Sequence, residues 1–193
     1  MIPLWVKITY TLFAATTIVV YAFKYPLGNF LWFSDIALVL TMPALWFESN
    51  LLASTIALGT LLPEVFWNVG FFGRLLTGKR LAGLTDYMFD EQKPRYLRAL
   101  SLFHVFLPVL LLWMIARLGY SPKALIAMTV LAWIVLPLTY VLTDPDKNIN
   151  WVFGPASVQR SRLHSILYLG MLMIAFPVIV YFPTHLLLMV LFP

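Results

Sequence analysis

The chain has 193 residues, 62% hydrophobic and 11% charged, with a formal net charge of +5. A soluble domain carries about 25% charged residues, so this composition excludes an ordinary soluble fold and predicts one integral membrane domain over residues 1–193. The absence of cysteine excludes a disulfide framework, a thiolate metal site and a cysteine nucleophile, and no basic–aromatic module stands apart from the apolar runs to hold nucleic acid.

Six apolar runs follow in chain order: Leu4–Phe23, Phe30–Phe47, Leu51–Phe72, Leu100–Ile115, Ala124–Val141 and Ser165 to about Leu188. Each approaches the roughly 20 residues that a helix needs to cross hydrocarbon. The runs are continuous rather than alternating, and backbone groups facing lipid must be paired within a helix. The expected fold is therefore all-α, a polytopic membrane bundle of six transmembrane helices. The first run lacks a small-x-small cleavage pattern before Lys24 and is read as a retained span.

Turns punctuate the runs. Tyr25 to Asn29 carries Pro26 and Gly28, Glu48 to Asn50 offers Ser49 or Asn50 as a helix cap, and Gly119 to Pro122 ends one helix and starts the next. Two links are longer, Gly73–Tyr96 and Thr143–Leu163. Threading the spans back and forth puts ten lysines and arginines on one side, here called B, among them Lys24, Arg74, Arg98, Arg160 and Arg162. Three, Lys7, Arg117 and Lys123, fall on side A with both termini. The bias predicts that side B is cytoplasmic, with both termini external.

The polar residues inside the runs gather near side B. Counting about 1.5 Å per residue, Asp35 and His104 lie roughly 8 Å from the B ends of their spans, and Glu64 roughly 12 Å. An ionisable group in hydrocarbon costs about 2.5–3.5 kcal/mol or more, so three at one depth point to a shared site. Singly, each has a plainer role: Asp35 as a helix cap, Glu64 in the kink of Pro63, His104 as a packed and bonded side chain. Asn68 sits one turn beyond Glu64, and Asp144, Asn148 and Asn150 leave the fifth span on the same side. Tyr21, Ser34 and Ser101 add hydroxyls, while Trp32, Trp67 and Trp151 are placed to line a cavity. His164 lies at an interface and His185 toward side A, and neither is assigned a role.

The Gly73–Tyr96 link alternates basic and apolar residues. It is expected either to lie in the interface with Leu75, Leu76 and Leu81 inserted, as a lid over the polar layer, or to be an ordinary basic loop. It brings Asp86 and Tyr87 over the layer.

The stretches Asn29–Asp35 (NFLWFSD), Asp86–Asp90 (DYMFD), Ser101–His104 (SLFH), Asn148–Gly154 (NINWVFG) and Pro183–Leu188 (PTHLLL) resemble a family of bacterial six-helix membrane proteins whose activity is uncharacterised. The resemblance implies the fold and no activity. In helix count and polar placement the chain is also similar to six-helix membrane lipid hydrolases of the androgen-induced type, which pair a helix-borne nucleophile with a histidine on a later helix. That likeness implies Ser34 and His104 as the matching positions, with serine where the family uses threonine.

The leading expectation is an enzyme that hydrolyses or transfers acyl groups of a lipid or amphiphile near the cytoplasmic face. Ser34 is the nucleophile, His104 the base, and Asp35, Glu64 or Asp144 orients or stabilises charge. Trp32, Asn68, Asp86, Tyr87, Asn148, Asn150 and Trp151 are the expected substrate contacts. The alternatives are a small-solute or proton-coupled transporter and a non-catalytic scaffold. A membrane lipid is the expected partner, an oligomer is allowed, and the cofactor is left open. No His-x-x-x-His or His-Glu-x-x-His spacing supports a metal site, and none is assigned.

Overall fold

The computed structural model describes residues 1–80, 83–155 and 162–193, with the backbone alone for Arg162 and Leu163. Its α-helices are α1 (Leu4–Lys24), α2 (Phe33–Trp46), α3 (Asn50–Thr77), α4 (Arg95–Leu100), α5 (Phe103–Leu118), α6 (Ala124–Leu142), α7 (Arg162–Ala175) and α8 (Phe182–Leu191), and no strand occurs among the described residues. Helices α4 and α5 form one apolar rod, Arg95–Leu118, and the last rod, His164–Leu191, passes through a π-helical stretch at Phe176–Tyr181. The chain is an integral membrane protein built as an all-α bundle. Among the described residues there are six helical segments, of which five are long and apolar enough to cross a bilayer.

The second span departs from expectation. Rather than one helix over Phe30–Phe47, the chain forms a 3-10 stretch at Leu27–Leu31, takes an extended conformation at Trp32, and only then enters α2, 14 residues long. At 1.5 Å per residue α2 covers about 21 Å, short of the roughly 30 Å hydrocarbon core. It still returns the chain from one end of α1 to the other. The Tyr10 hydroxyl donates to the Leu38 carbonyl (2.9 Å), the Trp46 indole to Thr11 Oγ1 (2.9 Å) and Lys7 Nζ to Glu48 Oε1 (2.8 Å).

The third span also differs. It runs on to Thr77, so Arg74, Leu75 and Leu76 belong to the last turns of α3, not to the link, and Gly78 ends the helix in the left-handed conformation. Ser49 caps its start, with Oγ accepting from the Leu52 amide at 3.2 Å. The expected insertion of Leu81, and Arg160, lie outside the described residues, as does the Arg162 side chain.

Helix α3 is the hub, packed against α2, α5 and α6. Its residues 53–61 are buried on every face, which is the signature of a central helix. Small side chains (Ala53, Ser54, Ala57, Gly59) let neighbours approach closely there. At Gly59 a Cβ would fall 2.4 Å from Met128 Sδ of α6.

Glu48 holds the N-terminus at the opposite end. Its Oε1 accepts from Lys7 and from the Ile2 amide (3.1 Å), and these two bonds, in that order, hold its carboxyl below the usual carboxylate range. A depressed folded pKa means that this anchoring is complete above the ordinary carboxylate pKa of about 4.3 and is lost as pH falls through the lower folded value. Hydrogen exchange at Ile2 and the first turn of α1 is expected to accelerate only in that acid window. Glu48→Gln removes the step.

Candidate functional site

At the basic end, where α1 finishes and α5 begins, the helices enclose a cavity of about 330 Å³. Asp35, Glu64 and His104 all line it, from α2, α3 and α5. The three groups placed at one depth by the sequence therefore share one site. Glu64 is 3% exposed and grips His104 Nδ1 with both oxygens, Oε2 at 2.8 Å and Oε1 at 2.9 Å. An ionised Glu64 only accepts, so Nδ1 is the donor in such a pair, and in the neutral imidazole Nε2 is then the basic nitrogen. The imidazole is stacked between the Trp67 ring (centroids 4.6 Å apart) and the Phe103 ring (4.2 Å). Orientation by an acid and clamping by two rings is how a general base is preorganised.

Asn68 sets the register of this pair. Its Nδ2 donates to the Glu64 carbonyl at 2.8 Å and to the His104 carbonyl at 2.7 Å, tying α3 to α5 beside the dyad. It positions the dyad and does not line the cavity, so its expected role as a substrate contact is corrected. Asn68→Ala is expected to lower unfolding stability by about 1–3 kcal/mol, because the His104 carbonyl loses a buried donor. Thermal unfolding in detergent checks this.

Asp35 is 4% exposed and accepts one bond at Oδ2, from Asn29 Nδ2 at 2.8 Å. Asn29 precedes it by six residues, beyond the reach of helical spacing, and only the 3-10 stretch folds it back. Ser34 also lines the cavity. Among the described residues no hydrogen bond joins its hydroxyl to His104. Hydroxyls continue along one wall, with Tyr21 and Ser101 bonded at 2.9 Å.

Trp32, Tyr87, Asn150 and Trp151, expected as substrate contacts, are placed in the cavity lining, but Asn150 is committed to backbone. Its Nδ2 donates to the Leu31 carbonyl (2.7 Å) and its Oδ1 accepts from the Phe33 amide (3.2 Å), capping α2 from another loop. Tyr87 sits in a 3-10 turn of the link. Burial is the main cause that pushes its phenol well above the ordinary tyrosine value, so it stays a donor. The link thus covers the cavity, with Leu84 and Lys93 joining Tyr87 in the lining.

Three expected residues lie elsewhere. Asp144 is exposed at the end of α6 and accepts from the Asp146 amide at 3.0 Å, a turn of its own making. Asp86 is ion-paired with Arg74 and Arg80. Asn148 builds its loop, donating to the Gly154 carbonyl at 2.7 Å and accepting from the Phe153 amide at 3.0 Å. His185 bonds the Tyr120 hydroxyl at 2.7 Å by the link between α5 and α6, away from the site. No group of three or more metal-ligating side chains occurs among the described residues. Asn29, Lys93 and Phe176 are lining residues with no signal in the sequence.

The fold and the cavity define a polytopic membrane protein with an acid–histidine pair in a cavity lined in part by aromatic rings at its basic end. Comparison with family models, curated proteins and solved structures gives no match to the chain.

Proposed function

We propose that the protein is a membrane-embedded enzyme that hydrolyses or transfers the acyl group of a lipid or other amphiphile, with the basic end of the bundle facing the cytoplasm. The observation that carries this reading is the Glu64–His104 pair, bonded at 2.8 Å and opening on a cavity of about 330 Å³. That volume falls in the range of small-molecule sites. Aromatic walls suit an apolar chain, and the polar groups at one end suit a head group.

In this reading His104 Nε2 takes the proton of the Ser34 hydroxyl as its oxygen attacks an ester carbonyl. The bond from carbonyl carbon to leaving oxygen breaks, and the imidazolium returns the proton to that oxygen. Water, deprotonated by the same nitrogen, then releases the acyl group, or a second alcohol accepts it. Glu64 holds the tautomer and stabilises the imidazolium. Bonds between catalytic groups are often long before substrate arrives, and in this reading Ser34 closes on His104 as substrate binds.

A long-chain fluorophosphonate tests this without knowledge of the natural substrate. The wild type is expected to be labelled at Ser34, the Ser34→Ala variant not at all, and His104→Ala at least a hundredfold more slowly. Labelling that persists in Ser34→Ala, or an unreactive wild type, contradicts the assignment.

A second reading, proton-coupled transport of a small solute, draws on the two carboxyl groups and on Gly59, which lines the cavity ten residues into α3. It requires solute exchange across vesicles, blocked by Glu64→Gln and unaffected by the fluorophosphonate.

A further inference from the structure

We infer that the amphiphile taken by this cavity carries an ammonium group in its head, beside an ester-type or ether-type oxygen. The inference rests on the reading of the cavity as the amphiphile site, and adds the charge of the ligand.

The first observation is an imbalance of charge. Asp35 and Glu64 are both buried and line the same cavity. Glu64 has His104 as its partner. Asp35 has a neutral one, the Asn29 amide, and no lysine, arginine or histidine among the described residues pairs with it. The cation nearest to hand in the lining, Lys93, lies over the Tyr87 ring with its Nζ 5.2 Å from the centroid. A carboxyl group buried to this degree stays protonated unless a positive charge lies beside it, so a cationic head group in the cavity is the ligand that would ionise and pair with Asp35.

The second observation is the wall around that place. Tyr21, Tyr25, Trp32, Phe33 and Phe176 bring aromatic rings from α1, the turn after it, α2 and the π-helical stretch. Ring faces attract an alkylated ammonium, most strongly where water is excluded, and a cage of rings beside a carboxylate is the arrangement that selects such a group over a neutral one of the same shape. Pro63 adds to this. It has no N–H for the carbonyl four residues earlier, so Gly59, also in the lining, keeps a carbonyl without its helical donor.

The third observation concerns a donor. Trp67 is 7% exposed, lines the cavity, and its buried Nε1–H makes no well-formed hydrogen bond, with the Tyr87 hydroxyl as a weak acceptor within reach. Native structures rarely leave such a group poorly paired, and in this inference a ligand oxygen completes its bonding. The Trp67 ring is stacked on His104, so an oxygen held by this indole lies at the same end of the cavity as the imidazole.

The test is equilibrium binding to the purified full chain in maltoside detergent, followed by tryptophan fluorescence. The probes are not turned over: choline octyl ether, its isostere with tert-butyl in place of trimethylammonium, and the analogue with a methylene in place of the ether oxygen. The wild type is expected to bind the choline ether at least tenfold more tightly than the isostere, and Asp35→Asn to erase most of that preference while still binding the isostere. The oxygen is expected to strengthen binding to wild type and not to Trp67→Phe. Equal affinity of wild type for charged and neutral ethers overturns the ammonium inference with no variant needed, and equal affinity with and without oxygen overturns the second part. A charge preference in a protein that the fluorophosphonate does not label sinks the enzyme reading and leaves this one standing. Labelling without charge preference does the reverse.

Discussion

His104→Ala is expected to reduce acyl-ester turnover by about a hundredfold to ten-thousandfold while leaving the bundle folded. The imidazole is a nitrogen base in the cavity lining that is held in a fixed direction. Glu64 takes Nδ1 at 2.8 Å and the Trp67 and Phe103 rings fix the plane. Removing it leaves Asp35 and Ser34 with no partner for proton transfer. Stability is less affected, because Glu64 then faces a space large enough for water, and the His104 carbonyl still accepts from Asn68. Turnover of a chromogenic octanoate ester in mixed micelles, alongside thermal unfolding, separates the two effects. Unchanged turnover in a folded variant removes His104 from the mechanism.

Glu64 is expected to behave differently, because it acts on rate and stability together. Glu64→Gln keeps an acceptor for Nδ1–H but loses the charge that stabilises an imidazolium, so turnover falls by about a hundredfold or more with little change in unfolding. Glu64→Ala removes the acceptor as well. A buried N–H is stranded at a cost of about 1–3 kcal/mol, and turnover drops to the level of His104→Ala. A Gln variant as active as wild type would mean that the carboxylate orients nothing that matters to the chemistry.

Much of this arrangement was legible in the sequence, for a physical reason. Ionisable groups are so costly in hydrocarbon that their positions along an apolar run report depth, and depth alone brought Asp35, Glu64 and His104 to one level. The cap at Ser49 followed from the same local reading. Angular position around the bundle was not legible. Asn68 follows Glu64 by one turn, yet it faces the α3–α5 seam and bonds backbone on both helices. Asp144 and Asn148 have the right depth, but their loop satisfies them locally. Asn29 reaches Asp35 through the 3-10 stretch, and Asn150 caps α2 from more than a hundred residues away. Such contacts depend on how helices pack, and one hydropathy profile is compatible with many packings.

The break before α2 shows the same limit. Phe30–Phe47 reads as one apolar span, but the extended conformation at Trp32 shortens the helix, placing Asp35 in its first turn and buried in the cavity lining. Ser34 and Asp35 thereby share the cavity lining with His104 of α5.

The central claim is that Ser34 and His104 act as one catalytic unit within this cavity, and a double-mutant cycle tests it most directly. Fluorophosphonate labelling cannot report on a chain without Ser34, so the quantity to measure is turnover of the octanoate ester by wild type, Ser34→Ala, His104→Ala and the double variant. Residues acting as a unit are non-additive, and the double variant is predicted to be no slower than the slower single one. Losses that multiply, or a Ser34→Ala variant as active as wild type, would contradict the account.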